Sequence, residues 1–310
     1  MQYIKLIFII VIFGFLISIS IACSVKAPET VIALTEASLV DSEDESLNHD
    51  EETLKFAIVS ILSIRETHRT FHKFAQYLEE ELGRPVEIIQ KQTYTEVKEL
   101  FERDEIDAGI VCAYLSVVGR REGIIKKIAM PVIDGEKQFT SYIITKNNSS
   151  INSMEDLYGK NFAYSDSLSY SGYLVAKYNI VQGGFDFNSY FSNAYYTYSH
   201  DNTILAVANG LVDAGATHSV VFDKLKKENN PIIAEIKIIA EGELVGHSPV
   251  VINPNIDPDL EIKLREVILS MHKDEKGRKA LEKLGYDYFD VPDKDLFKPI
   301  IKMLKDLGDL

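Results

Sequence analysis

From Leu54 onward, apolar and polar positions fall into blocks that occur twice in the same order. LKFAIVS (54–60) is an apolar run that closes on a polar loop at Ser60 and Ser63, the pattern of a buried strand. RETHRTFHKFAQYLEEELG then places Phe71, Phe74, Ala75, Leu78 and Leu82 on one helical face and stops at Gly83. VEIIQ reads as a second strand, and Thr93-Tyr94-Thr95-Glu96 as a capping box opening the helix VKELFERD. IDAGIV closes the block as a third strand. In the second block NFAYSD (161–166) is a strand into a loop, SGYLVAKYNIV a helix, and YYTYSHDN leads into ILAVANG and LVDAGAT. One shift of 106 residues carries Phe56-Ala57 onto Phe162-Ala163 and Asp107-Ala108-Gly109 onto Asp213-Ala214-Gly215. It also carries Ser63 onto Ser169 and Tyr94 onto His200.

A shared shift with a shared element order predicts two duplicated α/β lobes, with ligand loops at the carboxyl ends of their strands. FTSYIITK (139–146) reads as a strand and SMEDLYG as a short capped helix. After the second block SPVVINP (248–254) is another strand, and Asp257-Pro258 opens a helix with Asp at the N-cap and Pro at N1. LEIKLREVILSMHKD and GRKALEKLG supply C-terminal helices. The expected division is therefore 54–142 plus 246–310 for lobe 1 and 143–245 for lobe 2, with the chain crossing twice.

The N-terminal 53 residues follow a different pattern. After Lys5, seventeen uncharged residues run to Cys23. Ser20-Ile21-Ala22-Cys23 resembles a bacterial lipobox, in which the cysteine is acylated and becomes the mature N-terminus. Residues 1–22 then form a lipoprotein signal peptide, and an uncleaved membrane anchor is the alternative. Residues 23–53 lack periodicity and are expected to be an acidic tether. Asp41–Glu52 alone holds seven acidic side chains and no Lys or Arg, half of the net charge of −14. Either reading puts the folded part outside the cytoplasmic membrane, on the cell surface or in a periplasm.

Composition narrows the chemistry. At 46% hydrophobic and 26% charged residues the chain can build a sizeable core, and its acidity excludes a general nucleic-acid binder. G-x-S-x-G, H-E-x-x-H, a P-loop and C-x-x-C are all missing, and the seven histidines make no metal-ligand pair. His68 and His72 share a helix surface with Arg65, Arg69 and Lys73, a solvated face. No catalytic residue, metal or cofactor is expected. The remaining candidate is SDSLSYSG (165–172), a hydroxyl-rich turn at a helix start, where free N–H groups and the helix dipole suit a tetrahedral oxyanion. Ser169 or Ser171 simply capping the helix is the alternative.

KFAIVS, QTYTEV, IDAGIVCAYLS, SDSLSYSGYLV, SHDNTILAVANGLVDAG and FDKLK, in that order, resemble the phosphate/phosphite/phosphonate-binding proteins of bacterial ABC importers, the PhnD-like group. The resemblance spans Leu54 to about Lys302. It implies a type II periplasmic-binding-protein fold, two α/β lobes joined by a two-strand hinge, closing on ligand in the cleft. It implies that Ser169 and Ser171 hold the phosphoryl group, that the Tyr170 backbone assists where relatives often have threonine, and that His200 and Tyr94 contact the ligand. His200 as a mere cap and Tyr94 as core filler are the alternatives. Ser60, Ser63, His218 and Ser219 are further pocket candidates, and Cys112 is either a pocket residue or a buried apolar one. Relatives that bind aminoalkylphosphonates use carboxylates where Val220 and Ser248 stand here, which implies a ligand without an amine. The expected partners are a small oxyanion and an ABC permease, with a lipid at Cys23 holding a monomer to the membrane. A sensory or accessory ectodomain of the same fold is the alternative role.

Overall fold

The structure is a computed structural model that describes residues 53–59 and 64–310, without the side chains of 64–69. The expected signal segment, Cys23, the acidic tether, Ser60 and Ser63 all lie outside the described residues.

The strands in chain order begin with β1 (Leu54–Val59), β2 (Val86–Lys91), β3 (Ala108–Ile110) and β4 (Lys126–Val132). Next come β5 (Gln138–Phe139), β6 (Ser141–Lys146), β7 (Asn161–Tyr164), β8 (Asn193–Tyr196) and β9 (Ala214–His218). The last four are β10 (Ile236–Glu241), β11 (Val245–Gly246), β12 (Val250–Ile252) and β13 (Tyr288–Asp290). They form a six-stranded sheet, β13-β4-β12-β3-β1-β2, and a five-stranded sheet, β10-β6-β9-β7-β8. A separate two-stranded ribbon, β5–β11, pairs the two chain segments that pass between the sheets.

The duplication extends to single hydrogen bonds. β1 pairs in parallel with β2 and β3 with Phe56 opposite Ile88 and Ala108, and β7 pairs with β8 and β9 with Phe162 opposite Ala194 and Ala214. All three positions obey the 106-residue shift. Asp107 Oδ2 accepts from Lys55 N at 2.7 Å and Asp213 Oδ2 from Asn161 N at 2.8 Å, the same bond in each copy. Gly109 and Gly215 are positions where neighbouring strands approach closely. A Cβ there would lie 2.6 Å from the Ala57 carbonyl oxygen and 3.1 Å from that of Ala163. An antiparallel strand completes each trio from opposite ends of the chain: β12 beside β3, and β6 beside β9.

Local chemistry explains most element starts. Thr93 caps the helix Tyr94–Glu102 in a complete capping box with Glu96, and Ser199 caps His200–Ala208 at the shifted position. Asp257 accepts from Asp259 N and Leu260 N ahead of Pro258. SMEDLYG forms only a 3₁₀ turn, Glu155–Leu157, with no side-chain cap, and two further elements differ from the sequence pattern. The apolar run 139–146 is broken at Thr140, whose N–H donates to Ser219 Oγ (3.1 Å) and whose hydroxyl donates to Gly242 O (2.6 Å). Those bonds take Thr140 out of both ladders and separate the ribbon from β6. The second break is the start of the helix after SDSLSYSG, which is wound one residue wide: Tyr170–Leu174 form a π-helical turn, with Leu174 N bonded to Ser169 O at 3.0 Å, before the α-helix Val175–Gln182.

Apolar packing backs each sheet, and one cluster runs across both. It joins Tyr114, Phe297 and Ile300 of the first lobe to Tyr170, Leu174 and Val175 of the second, around Phe139 and Val245 of the ribbon. Among the described residues no helix is long and apolar enough to cross a membrane.

Candidate functional site between the two lobes

The 165–172 loop reaches across to the first lobe at two helix starts. Tyr94 N, at the head of the Tyr94–Glu102 helix, donates to Asp166 Oδ2 at 3.0 Å. The Cys112 thiol, which caps the helix Ala113–Glu122 by accepting from Leu115 N (3.3 Å), donates to Leu168 O at 2.8 Å. Cys112 is therefore a buried, hydrogen-bonded cap, and burial pushes its thiol up to about 12.

Beside these contacts lies a small space lined by Val59, Gln92, Tyr94, Ser165, Asp166, Tyr198, Ser199 and His200, about 10 Å³ in volume. Two pairs in this wall, Val59 with Ser165 and Tyr94 with His200, are related by the 106-residue shift. Ser165 Oγ and His200 Nδ1 are both buried and make no hydrogen bond among the described residues. A buried polar atom without a partner costs about 1–3 kcal/mol, so two such atoms on residues lining one space call for an occupant. Burial pulls the His200 imidazole down to about 4, so it is neutral at physiological pH.

The serines of the loop divide their work. Ser169 Oγ accepts from Gly172 N at 3.0 Å, which makes Ser169 a helix cap; its own O–H remains available to donate. The Ser165 and Ser169 hydroxyls flank Gly172, since a Cβ there would lie 1.5 Å from the first and 3.1 Å from the second. Ser171 is buried, and its carbonyl accepts from Ser141 Oγ at 2.6 Å. Tyr170 does not present its ring to the cleft. The ring packs edge-on against Phe139 and the hydroxyl donates to Glu243 O at 2.6 Å, while its backbone N–H faces the Cys112 sulfur. Ser219 Oγ accepts from Thr140 N at 3.1 Å, and its O–H, like that of Ser169, remains available to donate.

A larger space of about 290 Å³ adjoins Val59 and is walled by both lobes, with His218, Val220, His247, Ser248 and Asp201 among its lining residues. His218 Nδ1 accepts from Val220 N at 3.2 Å, which leaves the ring proton on Nε2. Its ring stacks on Phe139 at 3.9 Å, and His247 stacks on the same phenyl at 5.5 Å. Burial holds His218 well below the ordinary imidazole range and pulls His247 down to about 4. Val220 and Ser248 do share this wall, but so does Asp201, whose Oδ1 is buried without a partner. Asp201, with Glu228, thus places carboxylates on the wall that Val220 and Ser248 share.

Of the residues singled out in the sequence, Tyr94 and His200 line the small space and His218 the larger one, Ser169 and Ser171 line neither, and Ser165, Asp166 and His247, which line these spaces, were not singled out. Ser165 and Asp166 open the very loop singled out, but helix-start logic directed the reading to its later serines. No metal-ligand cluster occurs among the described residues.

Two lobes of one design around a space lined with hydroxyl and imidazole groups define a solute-binding protein of the two-lobed periplasmic type. The chain belongs to the family described as "ABC transporter, phosphonate, periplasmic substrate-binding protein", whose profile matches residues 56–297. It is 23% identical over 247 residues to the phosphate-import protein PhnD of Mycolicibacterium smegmatis, covering 76% of this chain and 75% of that one. It is 29% identical over 170 residues to a probable ABC transporter phosphite binding protein PhnD1 of Prochlorococcus marinus, covering 53% and 57%. Among solved structures it is similar to a binding component of an ABC phosphonate transporter from Pseudomonas aeruginosa (TM-score 0.76, 22% identity, 83% and 88% covered). It is also similar to Prochlorococcus marinus PhnD1 in complex with methylphosphonate (TM-score 0.72, 20% identity, 84% and 99% covered). These relatives are solute-binding components of importers, not enzymes.

Proposed function

We propose that this chain captures a phosphorus oxyanion outside the cytoplasmic membrane, between residues 54–142 plus 246–310 on one side and 143–245 on the other, and delivers it to an ABC permease. The observation that carries this reading is the pair of unpartnered buried atoms, Ser165 Oγ and His200 Nδ1, on two residues that line one inter-lobe space. Neutral donors suit a tetrahedral oxyanion, which spreads its charge over several hydrogen bonds. Closure proceeds by rotation about the β5–β11 ribbon, and the ligand-bridged closed form is what the permease reads. Lipid at Cys23 keeps the protein at the membrane as a monomer.

Calorimetric titration with phosphate, phosphite and methylphosphonate tests the reading. At least one should bind and raise Tm, with about 2.7 kcal/mol of stabilisation at a hundredfold excess over Kd. The combined Ser169→Ala and His200→Ala protein should lose that response. Normal binding by the double variant would move the site elsewhere. Acylation is checked separately, by the mass of the mature N-terminus and its loss in Cys23→Ser.

A further inference from the structure

The charges around the small inter-lobe space do not suit a dianion. Its wall contains Asp166 and no lysine or arginine. Asp166 is only 6% exposed, and its carboxylate is held by two backbone N–H groups, Leu168 N on Oδ1 (2.8 Å) and Tyr94 N on Oδ2 (3.0 Å). A carboxylate offers about four acceptor sites, so about two remain open. The other titratable groups around it are Tyr94, Glu96, Cys112, Tyr196, Tyr198 and His200. None of them brings a positive charge: His200 is neutral, and Glu96 adds a second negative one. Burial, followed by Glu96, raises the Asp166 carboxyl against the lowering effect of its two N–H bonds. A doubly charged phosphoryl group here would meet an uncompensated buried carboxylate, the costliest kind of contact in a dry cleft.

We propose that Asp166 makes this cleft selective for the singly charged, protonated form of its oxyanion, whose P–OH donates to an open lone pair of the carboxylate while the remaining oxygens accept from neutral donors such as Ser165, Ser169 and His200. One proton between the two acids converts their repulsion into a charge-assisted hydrogen bond. The inference rests on the oxyanion-binding reading above and adds the protonation state that the site accepts. Its mark is a pH dependence in which affinity falls once the ligand loses its second proton. The histidines do not blur that mark, because burial keeps His200, His218 and His247 neutral throughout the alkaline range.

The experiment is calorimetric titration of the full chain with methylphosphonate between about pH 6 and about pH 9, in two buffers of different ionisation heat. Affinity should be constant below the ligand's second pKa and fall about tenfold per pH unit above it, with one proton taken up per ligand bound. Sulfate, a dianion with no proton to offer in this range, should bind at least about a hundredfold more weakly. Asp166→Asn removes the charge and keeps an acceptor, so in that variant the alkaline fall should disappear. Should Asp166→Asn not fold, the wild-type pH profile and the sulfate comparison decide the question alone. Affinity that stays level or rises through the second pKa, or sulfate that binds as tightly as methylphosphonate, would overturn the proposal. An Asp166→Asn protein that keeps the alkaline fall would show that another group reads the proton. Failure of every anion to bind at every pH would overturn the binding reading itself, and this inference with it.

Discussion

Gly172 shows how little room the loop leaves for variation. Ser165 Oγ occupies the place of its missing Cβ, at 1.5 Å, and Ser165 is not a flexible surface side chain but is itself buried. Gly172→Ala must therefore displace the Ser165 hydroxyl, on a residue that lines the small space with His200. We expect a loss of about 1–3 kcal/mol in urea unfolding together with weakened oxyanion binding. Tyr170 offers the contrasting case. Its hydroxyl bond to Glu243 O joins the loop to the segment entering the ribbon, so Tyr170→Phe should cost about 1 kcal/mol of stability without changing Kd. A changed Kd would mean that the phenol touches ligand after all. Sequence alone could not separate these roles. The sequence gives position 170 a backbone role only, and the contact with Phe139, distant in sequence, shows that the ring belongs to the core.

At the scale of elements, what was legible depended on whether the determining bond is local. The capping box at Thr93, the Asp257-Pro258 start and the strands of both trios follow from neighbours within a few residues, and the structure shows them where the pattern puts them. The break at Thr140 could not be read, because its partners, Ser219 and Gly242, come from the far end of the second lobe. Asp166 was missed for the same reason: its partner Tyr94 lies 72 residues away. The duplicated caps allow a paired measurement. Thr93→Ala and Ser199→Ala remove the same bond from the same position of the two copies, and each should cost about 1 kcal/mol by urea denaturation. A cost several times larger for Thr93 would reflect the additional bond that its hydroxyl donates to Glu96 Oε2.

The molecule as a whole carries three buried neutral imidazoles near the ribbon, His200, His218 and His247. Unfolded, each would titrate near about 6.5. Folded, burial holds them lower, to about 4 for His200 and His247. Between those values the unfolded chain binds more protons than the native one. Stability is thus fully present above about pH 6.5 and is lost progressively as pH falls toward the folded values. Tm should decline over that acid window, and His247→Phe, which keeps a ring against Phe139, should make the decline shallower. The family and fold are shared with proteins of other organisms. Here His218 and His247 stack on Phe139, and His200 meets His218 edge-on at 5.4 Å.

The bond from Tyr94 N to Asp166 has a kinetic consequence. With it in place, the space beside His200 is about 10 Å³, room for roughly one water molecule and not for a phosphoryl group. On the proposed reading, entry waits for that bond to part, and opening precedes capture. The observed association rate should then level off as ligand is raised, at a ceiling set by the protein and common to every oxyanion it accepts. The chain has 16 tyrosines and no tryptophan, so stopped-flow tyrosine fluorescence can follow the event directly. A rate that climbs linearly without limit would mean that the gate stands open in solution.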